Sequence, residues 1–381
     1  MSGRGDDRDD EPGGVDCWLR QESVWAAVED MAAGRTVPSP LAVELHLGTA
    51  CNLACPECIS RPTIDTAVFE PARACELAQE LVELGVRSVV LSGGGEPLLH
   101  PSAGDVMLAL ARGGVMVSLV TNGTLLHHHM DAVARAASRV WVSVDAATKE
   151  THTKFRPARD GVGAFEKVVD NVRVLAKKRE GRVTFSFLLL SRRERAAVTS
   201  NAAEIASAAR LARELGCGTF EVNVAFDRNL QLSATHREVA QVVAEQLDEV
   251  RALDGRGFKV YVNPMVDDVA SGRAAEPMPS RTYPRCLAAE FRALVGPRGV
   301  FLCPRHQELA AARFGDPVTT SLKDIWGNDE HREALRCVDP RTSCDGPCMS
   351  MELNEKLVRA VALVHRGCDR PPLRPDDDLF I

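Results

Sequence analysis

Residues 50–60 read ACNLACPECIS, which puts Cys51, Cys55 and Cys58 in a C-x3-C-x2-C spacing directly after the apolar run LAVELHL at 41–47. Three thiols are an odd set. A structural zinc site closes on four ligands and a disulfide takes two, so the triplet asks for a metal group whose last position belongs to something other than protein. A cubane of four irons meets that description, because three thiolates leave one iron free. Zinc completed by a distant residue such as His46 is the competing reading, and it fits less well because zinc cysteines come as spaced pairs.

Outward from the triplet, the chain alternates short apolar runs with longer amphipathic ones. VRSVVLSGG (86–94), VMVSLVTNG (115–123), RVWVSVDA (139–146), RVTFSFLLL (182–190) and GTFEVNVAF (218–226) join LAVELHL as buried strands bounded by Gly, Asn or Asp. Between them lie helical patterns such as EPARACELAQELVELG (70–85), which stops at or just before Gly85. Six β-α repeats predict a parallel sheet, barrel-like or doubly wound, and the pattern alone does not separate the two. In both architectures chemistry collects at the carboxyl ends of strands. The triplet follows the first strand, SGGGEP (92–97) the second, TNGT (121–124) the third and SVDAAT (143–148) the fourth, so these groups converge on one rim.

The triplet, Gly94-Gly95-Glu96 and the TNG turn, in register with the strands, resemble the radical SAM superfamily over roughly residues 41–230. The resemblance implies a partial (β/α)6 barrel, a 4Fe-4S cluster on Cys51, Cys55 and Cys58, and S-adenosylmethionine on the unique iron. Carried over by position, Gly94, Gly95 and Glu96 would receive the methionine ammonium; Asn122 lies in the cosubstrate rim, and Ser143 and Arg156 match positions that contact ribose and the methionine carboxylate. One position departs from the family. The residue before the third cysteine is usually aromatic and helps to place adenine, whereas here it is Glu57. Taken alone, GGGEP and TNG are also common turns, Ser143 and Arg156 could be a helix cap and a surface charge, and LLHHHM (125–130) reads as a solvated helix start.

The 381 residues carry a net charge of -7, which argues against nucleic-acid or anionic-membrane partners. No stretch approaches 18 apolar residues, and the start MSGRGDDRDDEPGG lacks a signal-peptide core, so a cytoplasmic protein is expected. In a reducing compartment the 12 cysteines are expected to be free or metal-bound.

We divide the chain into a tail and helix at 1–40, a core at 41–275 and a smaller α+β unit at 276–381. The last opens with the linker-like GRAAEPMPSRTYPR, followed by a hairpin, CLAAEFRALVGPRGVFLC, and then by a helix beginning near Ser321 and ending before Pro340. Cys286 and Cys303 flank the hairpin, while Cys344 and Cys348 share a tight turn. This layout resembles the Twitch domain, the shorter relative of the SPASM domain. The resemblance implies an auxiliary 4Fe-4S cluster on Cys286, Cys303, Cys344 and Cys348, with Cys337 and Cys368 as spares for a second cluster. Four-cysteine zinc is the alternative at the same positions.

A fully ligated auxiliary cluster can accept an electron, which favours dehydrogenation of an alcohol after the 5'-deoxyadenosyl radical has taken a hydrogen. The expected substrate is a small polar molecule of sugar, aminocyclitol or nucleoside type in natural-product biosynthesis, with an external flavodoxin- or ferredoxin-type electron donor. About 40 residues before the first strand are too few for the winged-helix modules that bind peptide leaders, so peptide modification ranks lower. The alternatives are a radical epimerase with Cys337 or Cys368 as hydrogen donor, a decarboxylase or dehydratase, a peptide-modifying enzyme, and a non-enzymatic iron-sulfur protein.

Overall fold

The structure is a computed structural model that describes residues 19, 21–226, 233–273, 281–344, 348 and 350–370. Its strands are β1 (Ala42–His46), β2 (Ser88–Ser92), β3 (Met116–Thr121), β4 (Ala137–Ser143), β5 (Val183–Leu189), β6 (Ser191–Glu194), β7 (Ala197–Ser200), β8 (Thr219–Val224), β9 (Lys259–Val262), β10 (Arg292–Gly296), β11 (Gly299–Phe301) and β12 (Arg313–Gly315). Ten of them form one sheet in the order β12-β11-β10-β1-β2-β3-β4-β5-β8-β9. From β10 to β9 every neighbouring pair is parallel. β11 and β12 continue it antiparallel.

β2, β3 and β5 are buried along most of their length, while β4 and β8 alternate. In β8, buried Phe220, Val222 and Val224 alternate with half-buried Thr219, Glu221 and Asn223. In β4, buried Val140 and Val142 alternate with Trp141 and Ser143, which are not sealed. A doubly wound sheet buries both faces. Here the helices cover one face while the other lines an interior, as in a partial barrel whose edge strands β9 and β12 stay apart.

Three elements differ from the sequence-based expectation. β9 (KVYV) adds a parallel strand beyond the six, and its short, largely exposed sequence carries no buried run to announce it. β6 and β7 form a separate hairpin inside SRRERAAVTS, a polar stretch. The helix expected from Ser321 to Pro340 is broken into Leu322–Ile325 and Asp329–Cys337, because Gly327 sits at φ 76° between them and each piece has its own N-cap, Ser321 and Asn328.

The hairpin expected around GPRG is β10-β11, and β10 pairs with β1 in register Ala42↔Arg292, so the carboxyl-terminal region extends the core sheet. The division at 275/276 lies outside the described residues. A second, smaller core joins the chain ends: Trp25, Val28 and Met31 of helix Glu22–Ala32 pack with Leu287, Phe291, Leu357 and Ala360. The expected tail at 1–18 lies outside the described residues. No helix among the described residues is long and apolar enough to cross a membrane.

Candidate active site

The triplet loop leaves β1 at its carboxyl end and is held by backbone. Ala54 N–H donates to Pro157 O (2.8 Å), Arg159 N–H to Asn52 O (3.0 Å), and Arg159 Nε to Cys51 O (2.8 Å). Residues 52–54 are thereby stitched to 157–159, and Cys51, Cys55 and Cys58 line one cavity of about 120 Å³ with Arg61, Ile64 and Arg159. Burial raises the Cys51 thiol and pushes Cys55 up to about 11, with Arg156 opposing the rise at both. Left alone the two thiols stay protonated at neutral pH. A bound metal group supplies the positive charge that makes them thiolates.

Glu96 joins three parts of the rim. It is 4 % exposed, and its carboxylate accepts from Thr121 Oγ1 (2.6 Å), Asn122 N–H (2.8 Å) and Leu98 N–H (3.1 Å). Burial raises its pKa, opposed by these donors and by Arg156. Its own N–H donates to Ala50 O (2.8 Å), which clamps the GGE turn on the triplet loop. Asn122 completes the link: its Nδ2 donates to Asn52 Oδ1 (2.9 Å), and Asn52 Nδ2 donates to Thr124 Oγ1 (2.8 Å). Gly94 N–H donates to His46 Nδ1 (3.0 Å), whose Nε2 meets Glu44 Oε1 (2.9 Å). Both ring nitrogens of His46 are thus occupied by the rim. Glu96→Gln puts an amide N–H against one of the three donors, so a stability loss of about 1–3 kcal/mol is expected. Chemical denaturation checks it; an unchanged midpoint would remove Glu96 as the clamp.

The sequence reading passed over Asp145, although it lies in the SVDAAT stretch. Asp145 is 2 % exposed, stands at φ 60°, and holds Arg156 Nε at 2.6 Å while accepting Leu188 N–H at 2.7 Å. Asn201 Nδ2 donates to its carbonyl (2.9 Å). Arg156 is therefore no surface charge but one held beside the triplet, kept cationic by Asp145 despite its burial. Ser143 is half-buried at the end of β4. Removing one partner of a buried pair costs about 3–5 kcal/mol, so Asp145→Asn is expected to lower stability by about that much, with a correspondingly lower Tm. A Tm within a degree or so of the parent would contradict it.

Glu57, the residue that departs from the family pattern, pairs with Arg192 Nη1 of β6 (2.5 Å), and Arg192 in turn lies over the Phe155 ring. LLHHHM opens helix Leu126–Ala136 with His127 and His128 exposed, as expected.

The second cysteine set sits at the other end of the strands. Cys286 precedes β10, which runs parallel to β1, so about 15 Å of strand separates it from the triplet's end. Cys303 follows β11, and Cys344 ends the turn Pro340–Ser343. Cys303 and Cys348 lie close enough to act on Cys286, and Cys286, Cys303 and Cys348 on Cys344: burial first, with these neighbours adding to it, pushes Cys286 up to about 11 and Cys344 up to about 12. Asn354 Nδ2 approaches Cys286 Sγ (3.5 Å) and His306 Nε2 approaches Cys344 Sγ (3.2 Å). Two buried atoms beside them, Tyr283 Oη and Arg305 Nη1, have no hydrogen-bond partner. Four gathered thiols with unused donors around them fit an anionic sulfur cluster.

Among the described residues the remaining thiols stand apart, with Cys75 half-buried in helix Pro71–Glu83. Cys337 is exposed and donates to Glu333 (3.1 Å), Cys368 is exposed, and Cys217 is buried before β8. Among the described residues, no three His, Cys, Asp or Glu side chains are placed to hold a single metal ion.

The Radical SAM superfamily model matches residues 45–195, the segment that carries the triplet, GGE, TNG and Arg156. The AdoMet-dependent heme synthase of Methanosarcina barkeri is 33% identical over 199 residues, 50% of this chain and 52% of that protein. The chain thus spans about half the length of the first of its curated relatives. The PqqA peptide cyclase of Gluconobacter oxydans is 25% identical over 352 residues, covering 89% of this chain and 91% of that protein. In fold, the chain is similar to SuiB of Streptococcus suis, solved bound to precursor peptide SuiA, at a TM-score of 0.61 and 12% identity, covering 94% of this chain and 79% of that one. The domain match brings a 4Fe-4S cluster and S-adenosylmethionine as cofactors, and a need for a reductant and a substrate. With the cysteine loop, the GGE turn and the barrel rim in that order on one sheet, residues 45–195 carry a radical SAM domain.

Proposed function

We propose that the chain is a two-cluster radical SAM enzyme that modifies a peptide. What supports a peptide over the expected sugar- or aminocyclitol-like alcohol is the similarity to a peptide cyclase along 89% of the chain. The fold similarity to SuiB along 94% of the chain agrees in extent.

In this reading Cys51, Cys55 and Cys58 hold one 4Fe-4S cluster, and Cys286, Cys303, Cys344 and Cys348 hold the other. Bound here, the groups supply a 5'-deoxyadenosyl radical at the rim and a store for one electron at the opposite end. Gly94, Gly95, Glu96, Asn122, Ser143 and Arg156 would receive S-adenosylmethionine. Glu96 and Asn122 do so as supports: their side chains are spent on Thr121, Asn52 and the backbone, which fixes the turns. The half-buried inward side chains of β4 and β8, Trp141, Glu221 and Asn223, line the interior where the substrate would lie; Trp141 Nε1 donates to Glu221 (2.9 Å) and Asn223 Nδ2 donates to it (2.6 Å).

The test is co-expression with short peptides encoded beside the gene, followed by intact-mass measurement. A peptide lighter by two hydrogens supports the reading. Untouched peptides, with a small alcohol turned into a ketone by the purified enzyme, would restore the dehydrogenase. A product of unchanged mass that gains one deuterium in D2O would instead indicate epimerisation.

A further inference from the structure

We propose that Tyr283 and Arg305 donate hydrogen bonds to the sulfur of the auxiliary cluster and raise its reduction potential, making it the readier electron acceptor. The inference rests on the four-cysteine assignment above.

Tyr283 is only 6 % exposed, yet its hydroxyl is buried with no hydrogen-bond partner; Arg305 Nη1 is buried in the same condition. A buried donor left unpaired costs about 1–3 kcal/mol, and two such donors beside one cysteine set point to an acceptor that the protein itself does not provide. Their positions agree: Tyr283 stands three residues before Cys286, and Arg305 stands two after Cys303 in the short helix Pro304–His306. Burial and then Cys348, Cys286 and Cys344 push the Tyr283 hydroxyl well above the usual phenol range. A phenol O–H and a guanidinium are hydrogen-bond donors at neutral pH.

The other neighbours of the cysteines are already engaged. Arg281 Nη1 donates to the Cys344 carbonyl, Asn354 Nδ2 reaches Cys286 Sγ, and His306 Nε2 lies 3.2 Å from Cys344 Sγ. A cluster on four thiolates is anionic, and an added electron makes it more so. In a buried setting that step is opposed unless donors and positive charge face the sulfur. Tyr283 supplies a donor. Arg305 supplies a donor and a charge.

The experiment uses the full chain with Cys51, Cys55 and Cys58 replaced by Ala, so that only the auxiliary cluster remains, reconstituted anaerobically and titrated with dithionite under EPR. Tyr283→Phe and Arg305→Leu are each expected to change the reduced-to-oxidised ratio at fixed potential by about tenfold, a midpoint lower by about 59 mV for one electron. Arg305→Lys, which keeps the charge, recovers part of the shift. Iron stays at about four per chain throughout. Unchanged midpoints in Tyr283→Phe and Arg305→Leu with iron retained overturn the proposal. If the parent with the triplet removed binds no iron, the four-cysteine assignment fails and the proposal falls with it; the iron count separates that failure from the first.

Discussion

Replacing Cys51, Cys55 and Cys58 together by Ala abolishes 5'-deoxyadenosine formation from S-adenosylmethionine with dithionite, and iron falls from about eight to about four per chain. The loss is complete rather than graded, because no other thiol lines that cavity and the charges beside it, half-buried Arg156 and exposed Arg159, repel a cation. The variant still folds. What shapes the loop is backbone: Ala54 to Pro157, Arg159 to Asn52, and Glu96 to Ala50 hold without any sulfur, while Leu53 N–H (3.4 Å) and Asn122 Nδ2 (4.0 Å) lose a thiol acceptor. The Tm therefore changes little in the metal-free state, and the residual iron belongs to the cysteines at the far end of β10. Cleavage at the parental rate in the triple variant would sink the assignment of the triplet.

That the triplet was legible from sequence has a physical reason: its information is local. Eight residues fix the spacing of the thiols, and the strand before them is an apolar run that any reading of periodicity finds. The same holds for GGE and TNG, turns whose glycines and asparagine mark them without reference to the rest of the chain. What stayed hidden is long-range. Asp145 carries Arg156, but nothing in SVDAAT says which of its polar residues faces a guanidinium 11 positions on. Glu57 finds Arg192 across 135 residues, through a hairpin too polar to read as strands. The expectation of Glu96 as a carboxylate for the cosubstrate does not contain the three donors from its own and the next turn that it also accepts, a fact of packing that composition does not hold. The substrate class was read from the short segment before β1. That segment holds one helix among its described residues, packed on helix Met351–His365, and it bears on stability more than on what the enzyme binds.

Gly95→Ala is expected to cut 5'-deoxyadenosine formation by about a hundredfold or more, and Gly94→Ala is the measure of why. A Cβ on Gly95 would stand 1.9 Å from Ala50 O, 2.4 Å from Ala50 C and 2.6 Å from Thr49 O, all backbone of the strand-to-triplet connection. None of these can rotate away. The turn and the cysteine loop must separate, which breaks the 2.8 Å bond from Glu96 N–H to Ala50 O that sets their distance. Overpacking of this kind costs about 1–3 kcal/mol in stability, whereas a catalytic group displaced by about 1 Å costs about a hundredfold in rate, so the activity is lost well before the fold. On Gly94 the added Cβ meets Thr49 Cγ2 at 3.4 Å and His46 Nδ1 at 3.7 Å, ordinary contacts with side chains. Gly94→Ala should therefore keep its iron content and Tm, while Gly95→Ala shows a lowered Tm, a distorted cluster signal by EPR and slow cleavage. Parental cleavage by Gly95→Ala would mean that the turn and the triplet need not touch, and the rim described here would not be the site.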